Sequence, residues 1–279
     1  MAQKNTKYTS KDPDHNGFYN YSTEENEIWG QLYSRQEADL SKFACHEYID
    51  GLQNLGLPKD KIPQLKDITS TLTKATGWGV EGVPALISFD RFFDLLSNCK
   101  FPAATFIRTK GDFKYLREPD IFHEVFGHCP LLMNEHYADF MQKYGELGNS
   151  APQADQSMLA RLYWFTVEFG LIKRKGNLKI FGSGIVSSID ESKHALSSKP
   201  TIKPLELVEV FRTLYRIDMV QPIYFYIESF EDLFRLIDDS DNVFDAIAEA
   251  KSKGPYMPEF QVDDLPDEDF RKKLVRSLP

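Results

Sequence analysis

Cysteine is scarce in this chain: Cys45, Cys99 and Cys129 are the only three in 279 residues, and their spacing suggests no pairing. So few thiols exclude a disulfide-stapled secreted scaffold and point to a reducing, cytoplasmic setting. Long apolar runs are missing too. Nothing approaches the roughly 20 residues needed to span a bilayer, and the polar first twenty residues, with Asp12 and Asp14, lack a signal-peptide core. Positive charge is outnumbered, with 33 Lys and Arg against 42 Asp and Glu, a net charge of -9 and a pI near 5.3. That balance argues against nucleic acid as a partner, and Lys173-Arg174-Lys175 before Gly176-Asn177 reads as a solvated turn. There is no internal repeat and no linker. With 42% hydrophobic and 13% aromatic residues, the chain can bury a large core. One domain over 1-279 is expected, with a core at about 15-250 and a Pro-, Asp- and Lys-rich tail over 254-279 that lacks heptads.

What is present, and unusual, is Pro119-Asp120-Ile121-Phe122-His123-Glu124-Val125-Phe126-Gly127-His128, two histidines and an acid within six residues of an apolar stretch. Imidazoles this close commonly hold a metal. Four residues apart, as in H-E-x-x-H, they would lie about 40° apart on one helix face. Five apart, they would point about 140° apart on an ideal helix. Both reach one ion only if the helix ends or distorts between them. Pro119 and Asp120 suit a helix start, while Gly127 and Pro130 suit its end, so His123 is expected in a short helix and His128 at its frayed terminus.

A third ligand is expected at Glu168. It sits in Leu159 to Leu171, a segment of helical length that is apolar nearly all round and reads as a buried helix. An unpaired charge there would cost several kcal/mol, on the order of the penalties for buried ions. A divalent cation removes that cost; so would an ion pair with Arg161 or Arg174. Two histidines and a carboxylate with open positions form the facial triad of non-haem Fe(II) oxygenases. The same set suits zinc, with Glu124 beside the first histidine as the general base of a metallopeptidase. A noncatalytic, metal-stabilised helical module is a third reading. Cys129 beside His128 is read as a buried thiol.

Around this centre, Pro119-Asp120, His123-Glu124, Gly127-His128-Cys129-Pro130 and Tyr163-Trp164-Phe165-Thr166-Val167-Glu168-Phe169-Gly170-Leu171 together resemble the pterin-dependent aromatic amino acid hydroxylases, and within them the bacterial enzymes acting on phenylalanine. Ile62-Pro63-Gln64-Leu65, Thr76-Gly77-Trp78, Phe106-Ile107-Arg108, Gly182-Ser183-Gly184-Ile185-Val186-Ser187-Ser188, Lys203-Pro204-Leu205-Glu206-Leu207 and Gln221-Pro222-Ile223-Tyr224 follow in the family's order, over roughly residues 15 to 235. The resemblance implies a mainly α fold with a few short β-strands, a helical basket around iron. It implies hydroxylation of L-phenylalanine to L-tyrosine with dioxygen, a tetrahydropterin such as tetrahydrobiopterin, and Fe(II).

The family pattern assigns roles residue by residue. His123, His128 and Glu168 would bind Fe(II). Glu124 would lie near the pterin, Phe92 would stack on its ring, backbone around Ala85, Leu86 and Ile87 would bind its pyrimidine edge, and Tyr163 would close another side. Arg108 would take the substrate carboxylate with a bidentate fork, assisted by Ser187; Trp164 and the ring of His123 would form part of the pocket for the phenyl ring, and Gly184 would also bind substrate. The chain departs from the animal enzymes at Tyr115-Leu116-Arg117-Glu118-Pro119, where they carry Tyr-Thr-Pro-Glu-Pro, so contacts near the substrate amino group are expected to differ. With so few residues before Ile62, no N-terminal regulatory domain like that of the animal enzymes is expected, and a monomer or homodimer is expected.

Periodicity predicts a long helix over 24-55, broken near its middle, and helices at about 64-75, 88-98, 119-127, 135-147, 154-171, 204-213 and 229-251. Ser229 with Asp232 three residues later marks the start of the last. Short strands are expected around 178-181 and 222-227.

Overall fold

The structure is a computed structural model and describes residues 8-84, 87-113 and 118-261. The first amphipathic segment is two helices. Helix α1 (Thr23–Phe43) starts at Ser22, whose hydroxyl accepts the Glu25 amide while the Glu25 carboxylate accepts the Ser22 amide, a reciprocal cap. It buries Ile28, Leu32 and Leu40 along one stripe. The break comes at Ala44 and Cys45, where the backbone extends because the Cys45 amide donates to the Ile180 carbonyl at 2.9 Å and Ala44 bridges Ile180. Helix α2 (His46–Leu55) follows and closes at left-handed Gly56.

After α3 (Leu65–Thr76), strand β1 (Gly79–Val83) pairs in parallel with β2 (Lys100–Ala104) across α4 (Phe89–Ser97). Neither strand was expected, since β1 carries two glycines in five residues and both are short. Helices α5 (Glu135–Ser150) and α6 (Gln156–Tyr163) lead to the hairpin of β3 (Gly170–Arg174) and β4 (Asn177–Ile180). Its turn places Lys175 and Gly176 at φ of +50° and +82°; of the basic cluster expected as a solvated turn only Lys175 lies in it, while Lys173 and Arg174 end β3, Lys173 half-buried over the Tyr226 ring and Arg174 paired with Glu47. Then come α7 (Ser183–Val186), α8 (Ile189–Ala195), β5 (Thr201–Pro204), α9 (Leu207–Arg212), β6 (Ile223–Ile227), α10 (Phe230–Asp238) and α11 (Ser240–Lys253). The single helix expected over 229-251 breaks at Asp239, whose side chain caps α11 by accepting the Asp241 amide.

A four-stranded sheet in the order β4-β3-β6-β5 stands within this helical shell, with β6 parallel to both its neighbours. The fold is mainly α with a few short strands, as expected. One apolar cluster runs from Ile28 to Ala250 and holds Trp29, Trp78, Phe122, Phe126 and Phe165 fully buried. Each such side chain contributes about 1.5–3 kcal/mol of burial. Among the described residues, no helix is long and apolar enough to cross a membrane.

Candidate metal centre and substrate cavity

The helix carrying the histidines does not fray; it widens. From His123 to His128 the backbone is π-wound. Bonding from i to i+5 brings residues five apart back over one another, which an α-helix would hold about 140° apart. Gly127 serves a close approach rather than a helix end: a Cβ there would meet the Ser183 Cβ and carbonyl oxygen at 3.2 Å. The second ligand segment behaves alike. The helix expected over 154-171 is α6 followed by a π-turn, Trp164–Glu168, closed by the Phe169 amide on the Trp164 carbonyl at 2.9 Å. Strand β3 then begins at Gly170. Gly182 packs so tightly on this turn that a Cβ would lie 2.4 Å from the Glu168 carbonyl oxygen.

These two π-turns bring His123, His128 and Glu168 together, with one ligand atom of each within 4.8 Å of the others. The two Nε2 atoms are 3.2 Å apart, and Glu168 lies 3.3 Å from His128 Nε2 and 3.5 Å from His123 Nε2. Ligands about 2.1 Å from one ion stand about 3.0 Å apart at right angles and about 3.4 Å apart tetrahedrally. The spacing therefore fits a single divalent cation. Neither arginine serves Glu168, since Arg161 donates to the Phe211 carbonyl and Arg174 pairs with Glu47. The tautomer of His123 suits a metal as well. Ser187 Oγ gives its proton to the Ser183 carbonyl at 2.8 Å, so at 2.9 Å it accepts from His123 Nδ1–H and leaves Nε2 with a free lone pair. His128 Nδ1 is buried with no partner among the described residues.

Burial opposes charge on all of these groups. For Glu168 the two imidazoles outweigh it and hold the carboxyl far below the usual range; for His123 the Glu168 carboxylate outweighs it and raises the ring. Burial prevails at His128 and lowers its pKa. The Glu124 carboxyl is pushed up to about 8 by burial, against the pull of His123 and with help from Glu168. Its Oε2 lies 3.9 Å from His128 Nε2, and the Ala104 backbone amide donates to the carboxylate.

Beside this centre lies a cavity of about 570 Å³ lined by Arg108, His123, Trp164, Glu168, Gly184 and Ser187 among others. Trp164 stacks on Tyr215 and packs at a tilt against Phe169, each 4.4 Å away, with its indole N–H on Gln221 Oε1 at 3.1 Å. Phe92 and Tyr163 sit outside that lining: Phe92 meets the Tyr163 ring edge-on at 5.2 Å, and Tyr163 stacks 6.3 Å from His128. Ile87 is half-buried between β1 and α4, and Ala85 and Leu86 lie outside the described residues. Arg108, Trp164, Gly184 and Ser187 thus share the cavity with His123 and Glu168, while Phe92 and Tyr163 pack together near His128, as does Glu124.

Sequence reasoning missed Asp120, taken only as a helix-start residue. It is fully buried and holds Arg108 by its backbone amide, Nε and Nη2 at 2.9, 2.8 and 2.7 Å. Burial opposes its charge, but Arg108 outweighs this and lowers the pKa. An acid in the apolar run Pro119 to Phe122 carries the same signal that singled out Glu168.

Residues 2–243 match the family model of the biopterin-dependent aromatic amino acid hydroxylases. The chain belongs to this family. The hydroxylase is 45% identical over 257 residues to phenylalanine-4-hydroxylase of Pseudomonas aeruginosa, covering 92% of this chain and 97% of that one. Its fold is similar to the apo cold-active phenylalanine hydroxylase of Colwellia psychrerythraea, with a TM-score of 0.89 and 45% identity over 92% of this chain and 100% of that one. It is also similar, at a TM-score of 0.80 and 38% identity over 92% and 93% of the two chains, to the Chromobacterium violaceum enzyme with bound iron(III) and 7,8-dihydrobiopterin. These relatives give the metallopeptidase reading no support.

Proposed function

We propose that this hydroxylase is a phenylalanine 4-monooxygenase that converts L-phenylalanine to L-tyrosine with dioxygen, a tetrahydropterin such as tetrahydrobiopterin, and Fe(II), as a step of phenylalanine catabolism. The observation that carries this reading is the convergence of two imidazoles and a carboxylate at 3.2 to 3.5 Å beside a cavity that also holds a fixed guanidinium. His123, His128 and Glu168 would hold the iron, which with the pterin supplies the activation of dioxygen.

The chain's own residues bind and orient. Asp120 occupies Nε and one edge of Nη2, so Arg108 offers the substrate carboxylate its remaining N–H groups from an already fixed plane. Trp164 and Phe169 present an aromatic wall to the phenyl ring, and Gly184 keeps that wall open, since a Cβ there would touch the Phe169 ring at 2.9 Å. Ser187 sets the His123 tautomer, although it also lines the cavity and assists the carboxylate in the family pattern. Phe92, Tyr163 and Glu124, with the backbone near Ala85, Leu86 and Ile87, would form the pterin side. One catalytic domain, acting as a monomer or homodimer in the cytoplasm, is part of the same reading.

Apoprotein reconstituted separately with Fe(II) and Zn(II) tests it. Tyrosine is expected from phenylalanine only with iron, tetrahydropterin and air together. Peptide hydrolysis by the zinc form, with no tyrosine from the iron form, would sink the reading.

A further inference from the structure

An α-amino acid carries an ammonium as well as a carboxylate, and Arg108 accounts only for the latter. Among the described residues, the acids lining the cavity are Glu118, Glu168, Asp190, Glu191 and Asp218. Four of them are otherwise accounted for. Glu168 belongs to the metal centre, and Glu191 accepts the Tyr224 hydroxyl at 2.6 Å and the Gln221 amide at 3.0 Å. Asp218 is paired with Arg216 at 2.8 Å, and Asp190 is exposed, where water competes for any cation.

Glu118 is different. Its Oε2 is buried and has no hydrogen-bond partner among the described residues. A buried acceptor without a donor calls for one, and in a cavity wall a ligand can bring it. Glu118 is also two residues from Asp120, which fixes Arg108, so one short stretch, Glu118-Pro119-Asp120, carries an unpartnered acid and the clamp of the guanidinium. Carboxylate and guanidinium in one wall form a dipole opposed to that of a zwitterion.

We propose that Glu118 anchors the substrate ammonium and makes the enzyme select free α-amino acids over arylalkanoic acids of the same shape. This assignment rests on the hydroxylase reading above. It makes Glu118 a substrate-binding residue with a role in specificity rather than in the chemistry of the ring.

The test compares Fe(II)-loaded wild type and Glu118→Gln, with tetrahydropterin, on L-phenylalanine and on 3-phenylpropanoate, which lacks the ammonium. The variant is expected to raise KM for L-phenylalanine about tenfold or more, the effect of losing a hydrogen bond to a charged group. KM for 3-phenylpropanoate should stay within about twofold, so the wild-type discrimination collapses. An unchanged ratio of the two KM values overturns the assignment, whether both rise, as for a merely structural residue, or neither moves. Calorimetry on the wild type is independent of the variant's folding: equal affinity for the two ligands also overturns it. A wild type that makes no tyrosine overturns the reaction itself, whereas an active wild type with an unchanged ratio overturns only the role of Glu118.

Discussion

Asp120 grips Arg108 with both carboxylate oxygens, and its Oδ1 also accepts the His123 amide at 3.1 Å. One buried acid therefore ties the guanidinium in the cavity wall to the first residue of the metal-binding π-turn. The cavity and the three-ligand cluster share a single fixed point, so their separation does not depend on flexible side chains.

Removing that point should cost stability as well as activity. Asp120→Ala leaves the Arg108 charge buried and unpaired, since Arg108 is only 8% exposed. Loss of one partner of such a pair destabilises by about 3–5 kcal/mol. Urea unfolding of the two proteins measures it, and a change below about 1 kcal/mol would show that water reaches the guanidinium.

Ser187→Ala should weaken iron binding. The hydroxyl fixes the His123 tautomer, and loss of such a partner typically costs 10–100-fold in metal affinity, here read by chelator competition. Unchanged iron affinity with a raised KM for phenylalanine would instead assign Ser187 chiefly to the substrate.

Gly182→Ala should disturb the metal centre through the backbone. The new Cβ would fall 2.4 Å from the Glu168 carbonyl oxygen and 2.5 Å from the Gly170 amide nitrogen. Overpacking of this kind costs about 1–3 kcal/mol and should lower iron stoichiometry. Gly176→Ala is the control: its site is open but at φ +82°, so a loss of stability with full iron content is expected.

Glu191 should impose a pH dependence on stability. Burial raises its pKa above the unfolded value, against the donors Tyr224 and Gln221 that favour the ionised form. The native state then holds a proton that the unfolded chain has released, so this contribution to stability is full below about pH 4.3, the unfolded value, and is lost as pH rises through the folded pKa. Unfolding free energies measured across that window should decline less with pH in Glu191→Gln than in wild type. Equal slopes would mean that the acid is solvated.

Arg108→Lys should raise KM for phenylalanine by about tenfold or more, because lysine keeps the charge but loses the planar fork. An unchanged KM would remove Arg108 from the substrate site.

Glu168 and the histidine pair were legible in the sequence because chemistry that does not belong in an apolar segment declares itself: an unpaired acid or two imidazoles there demand a partner. Length, acidic balance, the absence of membrane runs and most of the helices were legible for a related reason, since periodic burial writes itself into a local pattern. The winding of the ligand helices was not. Whether five residues turn through an α- or a π-helix is decided by what packs on them, here Ser183 against Gly127 and Gly182 against Glu168. The breaks at Ala44 and Asp239, the parallel pair β1 and β2, and the grip of Asp120 on Arg108 likewise depend on partners distant in the chain or on short local competition. Side-chain chemistry is a property of the sequence by itself; the 3.2 Å between two imidazole nitrogens belongs to the tertiary structure, because only packing can hold cation-seeking groups so close together.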